Sequence, residues 1–107
     1  MRLEILEAAA QAIVEQADYY VLKSGITLAA SWEAAVDEAI QRLLRLPETG
    51  TLVRFRSPRL ANMRWIPVPG FPKHLIFYRY SPESELLRVI HVLHGARDLE
   101  ALLDPNS

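Results

Sequence analysis

The chain has 107 residues, half of them apolar, with 12 Lys and Arg against 13 Asp and Glu and no cysteine. That length supports one hydrophobic core and predicts one domain over residues 1–107, while the missing thiols exclude a disulfide framework and a thiolate metal or redox site. A net charge of −1 excludes strong nonspecific nucleic-acid binding driven by counterion release, and with no apolar leader core or bilayer-length apolar run the expected compartment is the cytoplasm.

The chain opens on Arg2 to Leu6, read as a strand added at a sheet edge. From Glu7 to Lys23, apolar residues at Ala9, Ala10, Ile13, Val14, Ala17, Tyr20 and Val21 follow the i, i+3, i+4, i+7 stripe of an amphipathic helix. Gly25 can end it in a left-handed conformation. Thr27 is then the expected cap of a second helix over Leu28 to Leu46, with Leu28, Trp32, Ala35, Val36, Ala39, Ile40, Leu43 and Leu44 on one face. Pro47 stops it. So short a connection predicts an antiparallel helical hairpin.

After Gly50 the period changes to that of strands. Leu52 to Phe55 reads as a short strand and Ser57-Pro58 as its break. Met63 to Val68 reads as a second strand, whose Pro67 predicts an edge or a strand end. His74 to Tyr80 and Leu86 to Leu93 form a hairpin around Ser81-Pro82-Glu83-Ser84, and the more apolar Leu86 to Leu93 is expected at the sheet centre. Asp98 is placed to cap a short helix to Leu103, and residues 104–107 are expected to fray. Helices first and strands afterwards predict an α+β fold, with the N-terminal antiparallel helical hairpin packed on one face of a mainly antiparallel sheet and the other face partly open.

Charge divides along the chain. Residues 1–50 hold four basic and eight acidic residues, and residues 51–98 hold eight basic and three acidic ones. Such asymmetry suits a basic face for an acidic partner, or a sheet surface that simply uses Arg for solubility. His91 and His94 are the nearest approach to a metal pair, but a three-residue spacing on a strand directs them to opposite faces, so no metal site is expected. Ser57, Ser81 and Ser84 sit in turns without a nucleophile signature. General acid–base chemistry on RNA needs cationic groups and a proton donor and acceptor. Arg64, His74, Tyr78, His94 and Arg97 supply those types, and Trp65 and Tyr78 can stack bases. The alternative places Trp65, Phe77 and Tyr78 in the core and makes His94 a hydrogen-bond partner at a strand end. Arg97 and Asp98 are expected to form a local ion pair.

At these residues the chain resembles the ParE branch of the RelE/ParE toxin superfamily. The likeness rests on the helical hairpin, Leu46-Pro47-Glu48-Thr49-Gly50, Arg64-Trp65-Ile66-Pro67-Val68, His74-Leu75-Ile76-Phe77-Tyr78-Arg79 and Val92-Leu93-His94-Gly95-Ala96-Arg97-Asp98. The resemblance implies a toxin without catalytic residues or cofactor that inhibits DNA gyrase by binding and is neutralised by a cognate antitoxin. It is also compatible with self-association. Arg64, His74, Tyr78, Arg88, His94, Arg97 and Asp98 are the positions expected to meet the target. Val14, Tyr20, Val21, Trp32, Val36 and Ile40 are those expected to meet the antitoxin. Two alternatives stand beside it: a RelE-like ribosome-dependent mRNA endonuclease, and an inactive member that only binds antitoxin. Matched to the RelE pattern, Arg97 falls at a catalytic arginine after the Gly corner. Trp65 and Pro67 stand where that pattern has lysines, and no Tyr follows Tyr80.

Overall fold

A computed structural model describes residues 1–104. The element order is β1 (Arg2–Ile5), α1 (Glu7–Ser24), α2 (Ile26–Arg45), β2 (Thr51–Leu52), a 3₁₀ turn at Pro58–Leu60, β3 (Arg64–Val68), β4 (Phe71–Ser81), β5 (Leu86–His94) and α3 (Leu99–Leu103). The five strands form one sheet in the order β1-β5-β4-β3-β2. All neighbours are antiparallel except β1 and β5, which run parallel with Arg2 opposite Leu86 and Ile5 opposite Val89. This is the expected α+β architecture. The centre of the sheet is β4, however, because β1 adds outside β5.

A single residue joins the two helices. Gly25 ends α1 and starts α2 with φ 96° and ψ 174°, a region that only glycine enters cheaply. Its N–H donates to the carbonyls of Tyr20 and Val21. Thr27 therefore lies inside the first turn of α2 instead of capping it, and no side chain caps that end. The hairpin divides its work unevenly. α2 buries Ala29, Trp32, Val36, Ala39, Ile40 and Leu43, whereas α1 buries only Ala9 and Ala17. Trp32 crosses between the helices, donating its indole N–H to the Ile13 carbonyl at 3.0 Å. The helices cover Ile76 and Tyr78 of β4 and Leu87, Val89 and Val92 of β5.

The opposite sheet face is less open than expected. The segment between β2 and β3 folds over it and, with α3, closes a second core of Leu60, Met63, Phe77 and Leu93. Asp104, expected to fray, takes part in this closure. Asp104 is buried and accepts hydrogen bonds from the Ser57 hydroxyl and, at 3.1 Å, from the Arg59 guanidinium. The Glu100 carboxylate accepts the Arg56 N–H at 2.5 Å. The rest of the expected fraying segment, residues 105–107, lies outside the described residues. Pro67 is tolerated because β2 pairs only with Arg64 and Trp65, leaving the outer side of β3 at Pro67 without a strand neighbour.

Candidate functional site

The site forms where β4 and β5 end under the hairpin. In the hairpin register His74 stands directly opposite His94, and their rings meet edge to face with centroids 5.2 Å apart. Trp32 meets the His74 ring from α2 at 5.0 Å. After β5 the chain turns sharply: Gly95 N–H donates to the Lys73 carbonyl at 2.7 Å and Arg97 N–H to the His94 carbonyl at 3.1 Å. The Ala96 N–H donates to His94 Nδ1 at 3.1 Å. That bond requires Nδ1 to be unprotonated, so the neutral ring carries its proton on Nε2. Gly95 does not take a positive φ, and a Cβ there would find neighbours only at ordinary contact, 3.5 Å away. The corner does not depend on glycine freedom.

His91 joins this group against the expectation that it would face away from His94. Tyr78 pairs with Val89 and Phe77 with His91, so Ile90 is an extra residue, a β-bulge. The bulge inverts the side-chain parity of the strand. Leu87 and Val89 lie in the core under the helices, and so does Val92, while Leu93 joins the core on the opposite face. Ile90 precedes both histidines, so the bulge leaves their three-residue spacing unchanged, yet His91 and His94 both line one cleft of about 250 Å³, together with His74, Arg97 and Trp32. α1 closes it with Ala12, Glu15, Gln16 and Tyr19. Those four follow the i, i+3, i+4, i+7 spacing of one helix face, a signal in the sequence that points beside the apolar stripe. The cleft holds three imidazoles, one guanidinium, one carboxylate and one phenol. No group of three or more possible metal ligands assembles among the described residues.

Burial holds His74 and His91 below the usual imidazole range, with His94 adding to the effect on His74 and Arg97 to that on His91. For a group whose folded value is depressed, the unfolded chain binds the proton first, so stability falls as pH drops. Stability is therefore expected to hold above about pH 6.5 and to decline as pH falls from there through the lower folded values of these two rings. Denaturant midpoints at pH 7.5 and 5.5 check this. A flat profile, or a decline unchanged in the double variant His74→Gln, His91→Gln, removes these rings as its source.

The other expected target residues lie elsewhere. Tyr78 is fully buried and stands four residues along β4 from His74, about 13 Å at the usual strand rise. Its hydroxyl accepts the Gly50 N–H at 2.9 Å and donates to the Pro47 carbonyl at 2.8 Å. Arg64 holds the same loop, donating to the carbonyls of Glu48 and Gly50. A Cβ on Gly50 would fall 2.4 Å from the Tyr78 hydroxyl, so glycine is required there for space. Burial pushes the Tyr78 phenol up, opposed by the Gly50 N–H and Arg64. Arg88 pairs with Glu4 at 2.9 Å on the face away from the hairpin. Asp98 accepts the Ala101 N–H as the cap of α3, and no ion pair joins it to Arg97 among the described residues. Arg79 donates to the carbonyls of Arg59 and Ala61. Four of the eight basic residues in the second half, Arg59, Arg64, Arg79 and Arg88, thus hold the fold itself together.

Of the positions expected to meet an antitoxin, Trp32, Val36 and Ile40 are buried in the core beneath the hairpin. Their apolar spacing on α2 marks the face turned to the sheet. Val14 and Val21 are exposed, and Tyr20 is half-buried against Trp32 and Phe71.

This geometry has relatives. Residues 3–99 match the family model described as ParE toxin of the type II toxin–antitoxin system parDE. A chain from the chromosomal ParDE toxin–antitoxin system of P. aeruginosa superposes with a TM-score of 0.70 at 16% identity, over 88% of this chain and 95% of that one. A chain of the RelBE2 toxin–antitoxin complex from Mycobacterium tuberculosis gives 0.58 at 18% identity, over 86% and 94%. No curated protein sequence matches the chain.

Proposed function

The chain belongs to the ParE toxin family of type II toxin–antitoxin systems, and from that membership we propose that it acts in the cytoplasm by binding DNA gyrase, with a cognate antitoxin to restrain it. The reading rests on binding and not on bond cleavage. The observation that carries it is the fate of Tyr78 and Arg64. Both are groups that RNA cleavage would recruit, and both are locked onto the 47–50 loop, with the Tyr78 hydroxyl bonded on two sides. What stays accessible at the end of β5 is Arg97, a cation beside half-buried imidazoles, which suits recognition of an acidic surface.

One observation favours the second reading, a ribosome-dependent ribonuclease. His74, His91 and His94 gather around Arg97 in one cleft, and imidazole is a common general acid–base group. A supercoiling assay separates the two. Purified protein is expected to inhibit gyrase, with activity restored on adding antitoxin. Gyrase left untouched by excess protein, while mRNA is cut on ribosomes, sinks the leading reading. If neither occurs and expression is harmless, the chain is an inactive antitoxin binder.

A further inference from the structure

We propose that the outer edge of β1 is a self-complementary dimerisation edge, on which a second copy of this chain adds its own β1 in antiparallel register centred on Leu3. All four residues of β1 are exposed, and Leu3 and Ile5 keep 39% and 40% of their surface. The strand carries no proline, lysine or bulge, the usual protections of an edge.

The backbone fixes which groups face outward. Arg2 N–H donates to Glu85 and Leu6 N–H to Val89, so the even residues turn their polar groups toward β5. By strand alternation the N–H and C=O groups of Leu3 and Ile5 point away from the sheet. In an antiparallel pairing centred on Leu3, the two copies of Leu3 exchange both main-chain hydrogen bonds. Arg2 of each copy then falls opposite Glu4 of the other in a non-hydrogen-bonded pair, where side chains approach most closely, with Cα atoms about 4.5 Å apart. Two ion pairs form across the two-fold axis. A parallel register would set Arg2 against Arg2 and Glu4 against Glu4.

The side chains are available for this. Arg2 makes no ion pair among the described residues, and Glu4 holds Arg88 through Oε1 alone. Its second oxygen can take the other copy's guanidinium. On the opposite face Leu3 and Ile5 extend the apolar row of Leu87 and Val89 into the second copy. An isologous edge of this kind closes after two subunits.

Light scattering and sedimentation of the purified full chain at ~100 µM test the proposal, in the weak, transient range expected of so short an interface. The wild type is expected to dimerise, with concentration-dependent exchange protection at the Leu3 and Ile5 amides. Arg2→Glu and Glu4→Arg, each placing like charges opposite one another, are expected to weaken the dimer at least tenfold. Mixed in equal amounts, the two variants are again complementary and are expected to recover a dimer, which also shows that both are folded. A wild type that stays monomeric, a dimer indifferent to Arg2→Glu, or a mixture no tighter than its parts overturns the proposal. Protection of those amides only when antitoxin is added also overturns it, assigning the edge to an antitoxin strand.

Discussion

Trp32→Ala is expected to cost about 3–5 kcal/mol, as large aromatic truncations in a closed core do, and to lower the melting temperature on the order of 20 °C. Trp32 is fully buried and ties three elements together. Its N–H bonds the α1 backbone at 3.0 Å. Its ring meets Phe71 edge to face at 5.2 Å and His74 at 5.0 Å. Alanine removes all of these contacts at once. The cavity cannot collapse easily, because α1 is tethered to α2 by one residue and supplies few buried side chains of its own. Trp32→Phe keeps most of the apolar volume. It leaves the Ile13 carbonyl with its helical bond, so its cost should be well under that of alanine. Chemical denaturation of the three proteins checks this order. An alanine variant within about 1 kcal/mol of the wild type contradicts the role given to Trp32.

Arg97→Ala is expected to do the reverse, leaving stability nearly unchanged while weakening gyrase inhibition at least about tenfold, or roughly 1.4 kcal/mol of binding. Arg97 is exposed and makes no side-chain hydrogen bond or ion pair among the described residues, unlike Arg59, Arg64, Arg79 and Arg88. The comparison is Arg42→Ala, in the last turn of α2 and outside the histidine cleft. Arg97→Lys retains charge without the planar fork and should fall between wild type and alanine. Inhibition curves from the supercoiling assay, with unfolding midpoints beside them, give the test. Equal loss from Arg97→Ala and Arg42→Ala removes the corner from target recognition.

The features legible in the sequence were those set by local rules. Helical periodicity, Pro47, the Ser-Pro-Glu-Ser turn and the Asp98 cap all act within a few residues, and the structure has them within one or two positions except at the start of β4. The expected β2 shrank from four residues to Thr51–Leu52, because the segment beyond it folds over the sheet to form the second core. Two site features depended on distant partners. The Ile90 bulge is a matter of register against β4, invisible in β5 alone, and the shared cleft of two histidines expected on opposite faces depends on how α1 covers the end of the sheet. The hydroxyl of Tyr78 reaches backbone groups 28 and 31 residues earlier, so its aromatic and polar character read equally well as a surface that stacks bases. Charge was misleading for the same reason: arginines counted as a basic face are largely donors to carbonyls and carboxylates of their own chain.

The pairing of β1 with β5 has a consequence for how the molecule comes into being. The first strand to be synthesised has no partner until the last strand exists, and Glu4 meets Arg88 across 84 positions of sequence. During translation the helical hairpin can form early from local contacts, but its apolar face has no finished sheet to cover. Closing so long a loop is entropically costly, and such non-local pairing slows folding. The corner that bears Arg97 lies later still, after β5. The surface proposed to meet the target is therefore assembled only after β5 has been made.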